Sequence, residues 1–101
     1  MRMIMHVSFP VEIFNDAVRD GSAGAKIKRI LDHLKPEATY FMARNGQRTA
    51  MVVLDLADVS KIPSLAEPWF LAFNASIELH PVMVPQDLVA ADLEGLGKAW
   101  A

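Results

Sequence analysis

Ala38-Thr39-Tyr40-Phe41-Met42-Ala43-Arg44-Asn45-Gly46-Gln47-Arg48-Thr49-Ala50-Met51-Val52-Val53-Leu54-Asp55-Leu56 reads as two strands around a tight turn. Asn-Gly between alternating segments is a strong hairpin signal, because both residues tolerate the positive φ that such a turn requires. The strands are expected over Ala38–Arg44 and Arg48–Leu56, joined by Asn45-Gly46-Gln47. In the first, Tyr40, Met42 and Arg44 share one face and Thr39, Phe41 and Ala43 the other. In the second, Thr49, Met51, Val53 and Asp55 oppose Ala50, Val52, Leu54 and Leu56. Both faces of that second strand are substantially apolar.

Upstream, Met1 to Phe9 also alternates, with Met1, Met3, Met5, Val7 and Phe9 against Arg2, Ile4, His6 and Ser8. This predicts a half-buried strand that Pro10 closes, since proline cannot donate to a sheet ladder. Val11 to Lys35 reads as helix with an interruption. Phe14 and Val18 form one apolar pair, and Ile27, Ile30, Leu31 and Leu34 follow a single buried stripe. Between them, Asp20-Gly21-Ser22-Ala23-Gly24 reads as a hinge with Ser22 as the cap, and each glycine disfavours helix by about 1 kcal/mol. It has neither the ending of a P-loop nor the spacing of a dinucleotide fingerprint. Lys35-Pro36 ends the helix.

Downstream, Asp58 to Asn74 predicts a second helical region, capped by Ser60 or a neighbour, with Pro63 early in it. Pro68 is expected to break or kink it, making Trp69-Phe70-Leu71-Ala72-Phe73 a separate short turn or helix. Ser76 to Val84 reads as a fourth strand, placed at a sheet edge by Pro81. From Pro85, Val89, Leu93, Leu96 and Trp100 trace one stripe of a short C-terminal helix that could dock on its own domain or on a partner. The expected division is a domain over residues 1–84 and a helical tail over residues 85–101.

The order β-α-β-β-α-β predicts an α+β, ferredoxin-like arrangement, with strand order 4-1-3-2, an antiparallel sheet and both helices on one face. Met3, Met5, Val7, Phe41, Val52, Leu54, Ile77 and Leu79 are then core, beneath Phe14, Val18, Ile27, Ile30, Leu31, Leu34 and Leu65. The other face carries Ile4, Met42, Met51, Val53, Val82 and the Tyr40 ring, a patch on the order of several hundred Å² that marks an interface. A second copy related by a twofold axis is the simplest cover, at around 800 Å² per partner. Two sheets meeting this way make a barrel with a cavity between them.

Composition narrows the functional classes. In 101 residues there is room for one core, and 52% hydrophobic residues exclude disorder. A net charge of −2 argues against a nucleic-acid footprint, and His6, Met51 and Val53 stand where RNA-recognition modules carry stacking aromatics. The chain has no Cys, so disulfides, thiolate zinc sites and cysteine nucleophiles are out. No apolar run reaches the roughly 20 residues of a membrane helix, and His6 and Ser8 interrupt the only leader-like stretch. The expectation is a cytoplasmic protein without membrane or nucleic-acid partners.

The sequence resembles the dimeric α+β-barrel superfamily, and within it a muconolactone-isomerase-like group of small bacterial proteins. The resemblance lies in Met5-His6-Val7, in Val53-Leu54-Asp55-Leu56 running to Ser60, in the proline-interrupted, Phe-rich second helix, and in Ser76-Ile77-Glu78 leading to Pro81-Val82. It spans about residues 1–84. It implies a homodimeric barrel without a cofactor, whose relatives include isomerases, cofactor-free monooxygenases, haem-degrading enzymes and binding proteins, so fold alone cannot assign activity.

His6 and His80 fall on strands expected to be neighbours, and Glu78 shares a face with His80. Two imidazoles and a carboxylate can hold a divalent metal or transfer protons, or they can pair across the dimer interface or sit wet at its rim; no metal is assigned. Tyr40 could hydrogen-bond an enolate with Asp55 as base, although Asp55 also suits a turn into Asp58. His6, Tyr40, Asp55 and His80 are therefore the candidate catalytic groups. Arg2, as a carboxylate clamp, joins Met42, Met51, Glu78 and Trp69 as candidate ligand contacts. Trp69, Phe70 and Phe73 suit an aromatic core as well as an aromatic ligand. The haem-degrading pattern is not met, because position 6 is His and the second helix has none.

Two functions follow. One is a homodimer binding a small apolar or carboxylate-bearing molecule between its sheets, as an isomerase or cofactor-free oxygenase. The other is a non-catalytic dimerisation module with a filled barrel. Under either, the tail ending in Trp100 could build higher oligomers.

Overall fold

The computed structural model describes residues 1–101 as an α+β fold: β1 (Arg2–Ser8), α1 (Val11–Arg19), α2 (Ala23–Leu34), β2 (Ala38–Arg44), β3 (Gln47–Asp55), α3 (Ile62–Phe73), β4 (Ser76–Pro81), α4 (Pro85–Ala90) and α5 (Leu93–Ala99). The sheet runs β2-β3-β1-β4, with every neighbouring pair antiparallel. Asn45 and Gly46 form the hairpin turn, with φ of 53° and 73°. That left-handed pair matches the twist of the flanking strands, which lets the turn close in two residues.

Alternation fixes the faces of β1 and β3. Met3, Met5 and Val7 are buried with Val52 and Leu54, while Ile4, His6 and Ser8 are only partly covered. Phe14 and Ala17 of α1, Ile30 of α2, and Trp69 and Phe73 of α3 join the same cluster, so the three long helices cover one side of the sheet. Phe9 is its aromatic hinge, edge-on to Phe14, Trp69 and Phe73 at centroid distances of 4.9, 5.8 and 5.1 Å. Edge-to-face pairs of this kind add to the area they bury.

Several expectations need correcting. Val18 is 52% exposed, because α1 turns Ala17 rather than Val18 beneath Phe14. Phe41 projects on the helix side of β2 but is 57% exposed, since β2 is an edge strand with no close helix packing. Thr49 shares the face of Met51 as expected but is buried there, and its hydroxyl donates to the Gln47 carbonyl at 3.2 Å. Ser22 precedes α2 without a side-chain cap bond; the carboxylate of Asp20 accepts the Ser22 N–H instead.

Pro68 does not break α3, which is continuous over Ile62–Phe73. A proline in a helix interior lacks the N–H that would reach the carbonyl four residues back. Here that carbonyl belongs to Ser64, and Nε2 of His33 on α2 lies 3.3 Å from it. A neighbouring helix thus supplies the donor that the proline removes. Ahead of α3, a short 3-10 turn over Val59–Lys61 is capped by Asp58, whose carboxylate accepts the Ser60 N–H at 2.8 Å.

The tail is two short helices rather than one, bent at Asp92 with φ 51°. Neither buries a residue, so the tail does not dock on its own domain. The molecule measures 60 × 28 × 20 Å, with a Cα radius of gyration of 17.3 Å. A compact chain of this length would have about 13 Å. No helix is long and apolar enough to cross a membrane.

Candidate functional site

Strand register decides which polar side chains can meet on the uncovered face. One cross-strand row reads Tyr40, Met51, His6, Glu78 across β2, β3, β1 and β4. The next reads Ala38, Val53, Ile4, His80. Glu78 is therefore directly opposite His6, and His80, two residues along β4, lies diagonal to it. Directly opposed residues and their diagonal neighbours are the pairs whose side chains reach one another in a sheet.

These three side chains come together. Each of His6, Glu78 and His80 offers a ligand atom, and those atoms lie within 4.8 Å of one another. The imidazoles meet edge to face, with centroids 6.5 Å apart and planes at 72°. His6 is half-buried in a central strand; Glu78 and His80 are exposed on the edge strand β4. No ion pair joins the three, and Nδ1 of His6 is buried without any hydrogen-bond partner. A buried polar atom without a partner is costly. Ile4, Met51 and Val53 adjoin the cluster as a half-buried apolar strip.

The other candidates lie elsewhere. Tyr40 is 56% exposed on β2, and Met51 separates it from His6 in the row. Two strand spacings put the two about 10 Å apart. Asp55 is at the end of β3, where it accepts a bond from the amino terminus of Met1 at 2.8 Å. Arg2, opposite Asp55 in register, instead pairs with Glu37 through Nε at 3.1 Å. A ligand carboxylate at Arg2 would compete with that exposed ion pair. Met42 lines a recess of about 390 Å³ at the hairpin end with Phe9, Phe14, Phe41, Arg48 and Thr49.

Trp69, read as a ligand contact, is corrected outright. It is fully buried beneath the helices, against Phe9 and on the opposite side of the sheet from His6. Its ring is part of the core, and no ligand on the open face can touch it.

A second concavity, missed in the sequence, lies between α2 and α3. This groove of about 740 Å³ includes Lys26, Arg29 and His33 from α2, with Ser64, Glu67 and Leu71 from α3. The spacing of Lys26, Arg29 and His33 at i, i+3 and i+7 is the signal that could have found it, since it puts the three on one helical stripe.

Comparison of the chain with protein-family models, curated proteins and solved structures finds no match.

Proposed function

We propose that this chain acts as a homodimer that binds a small apolar, carboxylate-bearing molecule on its open sheet face. In this reading two ferredoxin-like protomers meet sheet to sheet as a dimeric α+β barrel. The ligand's apolar part lies on Ile4, Met51 and Val53, and its polar end meets His6, Glu78 and His80. The observation that carries the reading is the convergence of those three polar groups beside an apolar strip that no helix covers. A carboxylate and two imidazoles in reach of one another can accept a proton from one carbon or oxygen and return it to another, as an isomerisation requires. Tyr40 and Asp55 are outside this cluster, so they take no part in the chemistry within one protomer.

A second reading, a non-catalytic dimerisation module, is favoured by the placement of Tyr40, Met42 and Met51 on the face that would meet the partner. Their side chains could fill the space between the sheets.

Sedimentation equilibrium combined with calorimetric titration of unsaturated and aromatic carboxylates tests both. The first reading expects a dimer of about twice 11.2 kDa and saturable binding that His80→Ala weakens. A dimer without such binding favours the filled barrel. A single 11.2 kDa particle at micromolar concentration defeats both.

A further inference from the structure

We infer that His6, Glu78 and His80 form a binding site for a late first-row divalent metal ion, with Zn²⁺ and Co²⁺ as its natural probes. The site belongs to the open face proposed above to bind a small molecule, but it needs only one copy of the chain and does not rest on the dimer. Three observations carry it. The donors are two imidazoles and one carboxylate, from directly paired and diagonal positions of adjacent strands. Their ligand atoms all lie within 4.8 Å of one another. Nδ1 of His6 is buried with no partner in the chain.

The geometry is close to what coordination needs. A tetrahedral ion with ligands at about 2.1 Å holds its donor atoms roughly 3.4 Å apart. The remaining closure falls within side-chain rotation, because Glu78 and His80 are exposed on an edge strand and neither is held by an ion pair. Two antiparallel strands fix the spacing between the side-chain origins, so His6 and Glu78 face each other without a loop having to order first. A two-nitrogen, one-oxygen donor set selects zinc, cobalt, nickel, copper or ferrous iron over calcium and magnesium, which take mostly oxygen ligands.

Three protein ligands leave at least one coordination position open. That position faces the uncovered side of the sheet, beside Ile4 and Met51. With an ion bound, water or a carboxylate or enolate oxygen of a bound molecule could fill it. The ion then serves as a Lewis acid for the polar end of the ligand.

The test uses the full chain without appended histidines, stripped by a chelator. Co²⁺ is titrated and followed by its visible d–d absorption, and Zn²⁺ affinity is read by competition with a chromogenic chelator. The expected result is about one Co²⁺ per chain with the intense bands of a low-coordinate nitrogen–oxygen site, displaced by Zn²⁺. His80→Ala weakens binding by about a hundredfold and Glu78→Gln by about tenfold or more, whereas His33→Ala leaves it unchanged. His80 and Glu78 are exposed, so both variants keep the core, which far-ultraviolet circular dichroism verifies. Absence of stoichiometric Co²⁺ or Zn²⁺ binding overturns the site. So does a folded His80→Ala or Glu78→Gln chain that binds as tightly as the parent. Metal binding by a chain that sediments as a monomer retains the site and defeats only the dimer.

Discussion

Asp20 and Asp58 show how single side chains shape this fold. Each carboxylate accepts the backbone N–H two residues on, from Ser22 and Ser60, both at 2.8 Å. The nearby Ser22 hydroxyl, together with the Ser22 N–H donated to the carboxylate, holds the Asp20 carboxyl below the ordinary 3.8. Ser60 does the same for Asp58. A carboxyl with a lowered folded pKa binds protons sooner in the unfolded chain than in the native one. Its contribution to stability is therefore full well above pH 3.8 and is lost as the pH falls through the lower folded value. Urea midpoints at pH 7 and pH 3 should show this loss in the parent and a smaller loss in Asp20→Asn/Asp58→Asn, whose amide oxygens keep the acceptors but do not titrate. Equal losses in the two proteins would remove these carboxyls from the account. At this scale the sequence was informative wherever its pattern had contrast. Period two assigned His6 to one face and Met5 and Val7 to the other, since a strand must send successive side chains apart. Trp69-Phe70-Leu71-Ala72-Phe73 has no such contrast. All five residues are apolar, so only docking decides that Trp69 and Phe73 are buried while Phe70 and Leu71 are exposed.

At the scale of elements, α3 shows a local rule overridden by a neighbour. Proline at position 68 argues for a break, and one helix considered alone would pay heavily for it, at about 3 kcal/mol relative to alanine. The helix continues because His33 reaches the Ser64 carbonyl and because Trp69 and Phe73, one turn apart, are both anchored in the core. The sequence could not disclose that contact, since His33 and Ser64 are 31 residues apart and meet only when α2 and α3 pack. Pro68→Ala restores the internal hydrogen bond. Allowing for the lost His33 contact and for a less restricted unfolded chain, it should stabilise the protein by about 1–2 kcal/mol. His33→Ala should cost about 0.5–1 kcal/mol in the parent and almost nothing in the Pro68→Ala background. Denaturant unfolding of the four proteins measures that coupling, and equal costs of His33→Ala in both backgrounds would show that the histidine does not serve the proline's orphaned carbonyl. The strands needed no such tertiary knowledge. Asn45-Gly46 fixed the hairpin locally, and the turn then set the register that brings Tyr40 opposite Met51. The trio of His6, Glu78 and His80 was half legible: the shared face followed from alternation, but the diagonal reach of His80 depends on the β1–β4 register, which no turn specifies.

At the scale of the molecule, two apolar surfaces lack a cover: the open sheet face and the arm of α4 and α5. Leu88, Val89, Leu93, Leu96 and Trp100 are exposed by 46, 80, 56, 47 and 86%. The arm stretches the molecule to 60 Å, well beyond a compact domain of its length. The stripe in the sequence identified Val89, Leu93, Leu96 and Trp100, though not Leu88, and it did not identify their destination, because amphipathicity states that a face needs burial without stating against what. The sheet face alone, four strands about 4.8 Å apart and about seven residues long, offers on the order of 450 Å². The accessible area over its side chains exceeds that flat footprint, and about 800 Å² per partner is the scale of a stable association. If a second copy covers the sheet, the arm can add to the covered area, and the two surfaces should contribute separately to dimer affinity. Met51→Glu places a carboxylate near the centre of the face, where the twofold axis brings it towards its own copy, and should raise the dissociation constant at least a hundredfold, by about 3 kcal/mol. Removing residues 85–101 should raise it about tenfold while leaving the unfolding midpoint of the dissociated chain nearly unchanged, because neither helix of the arm buries a residue. Sedimentation equilibrium of the two variants separates these contributions. A truncated chain that dimerises as tightly as the parent would assign the arm to another partner, and a Met51→Glu chain that does so would mean that the sheets never meet.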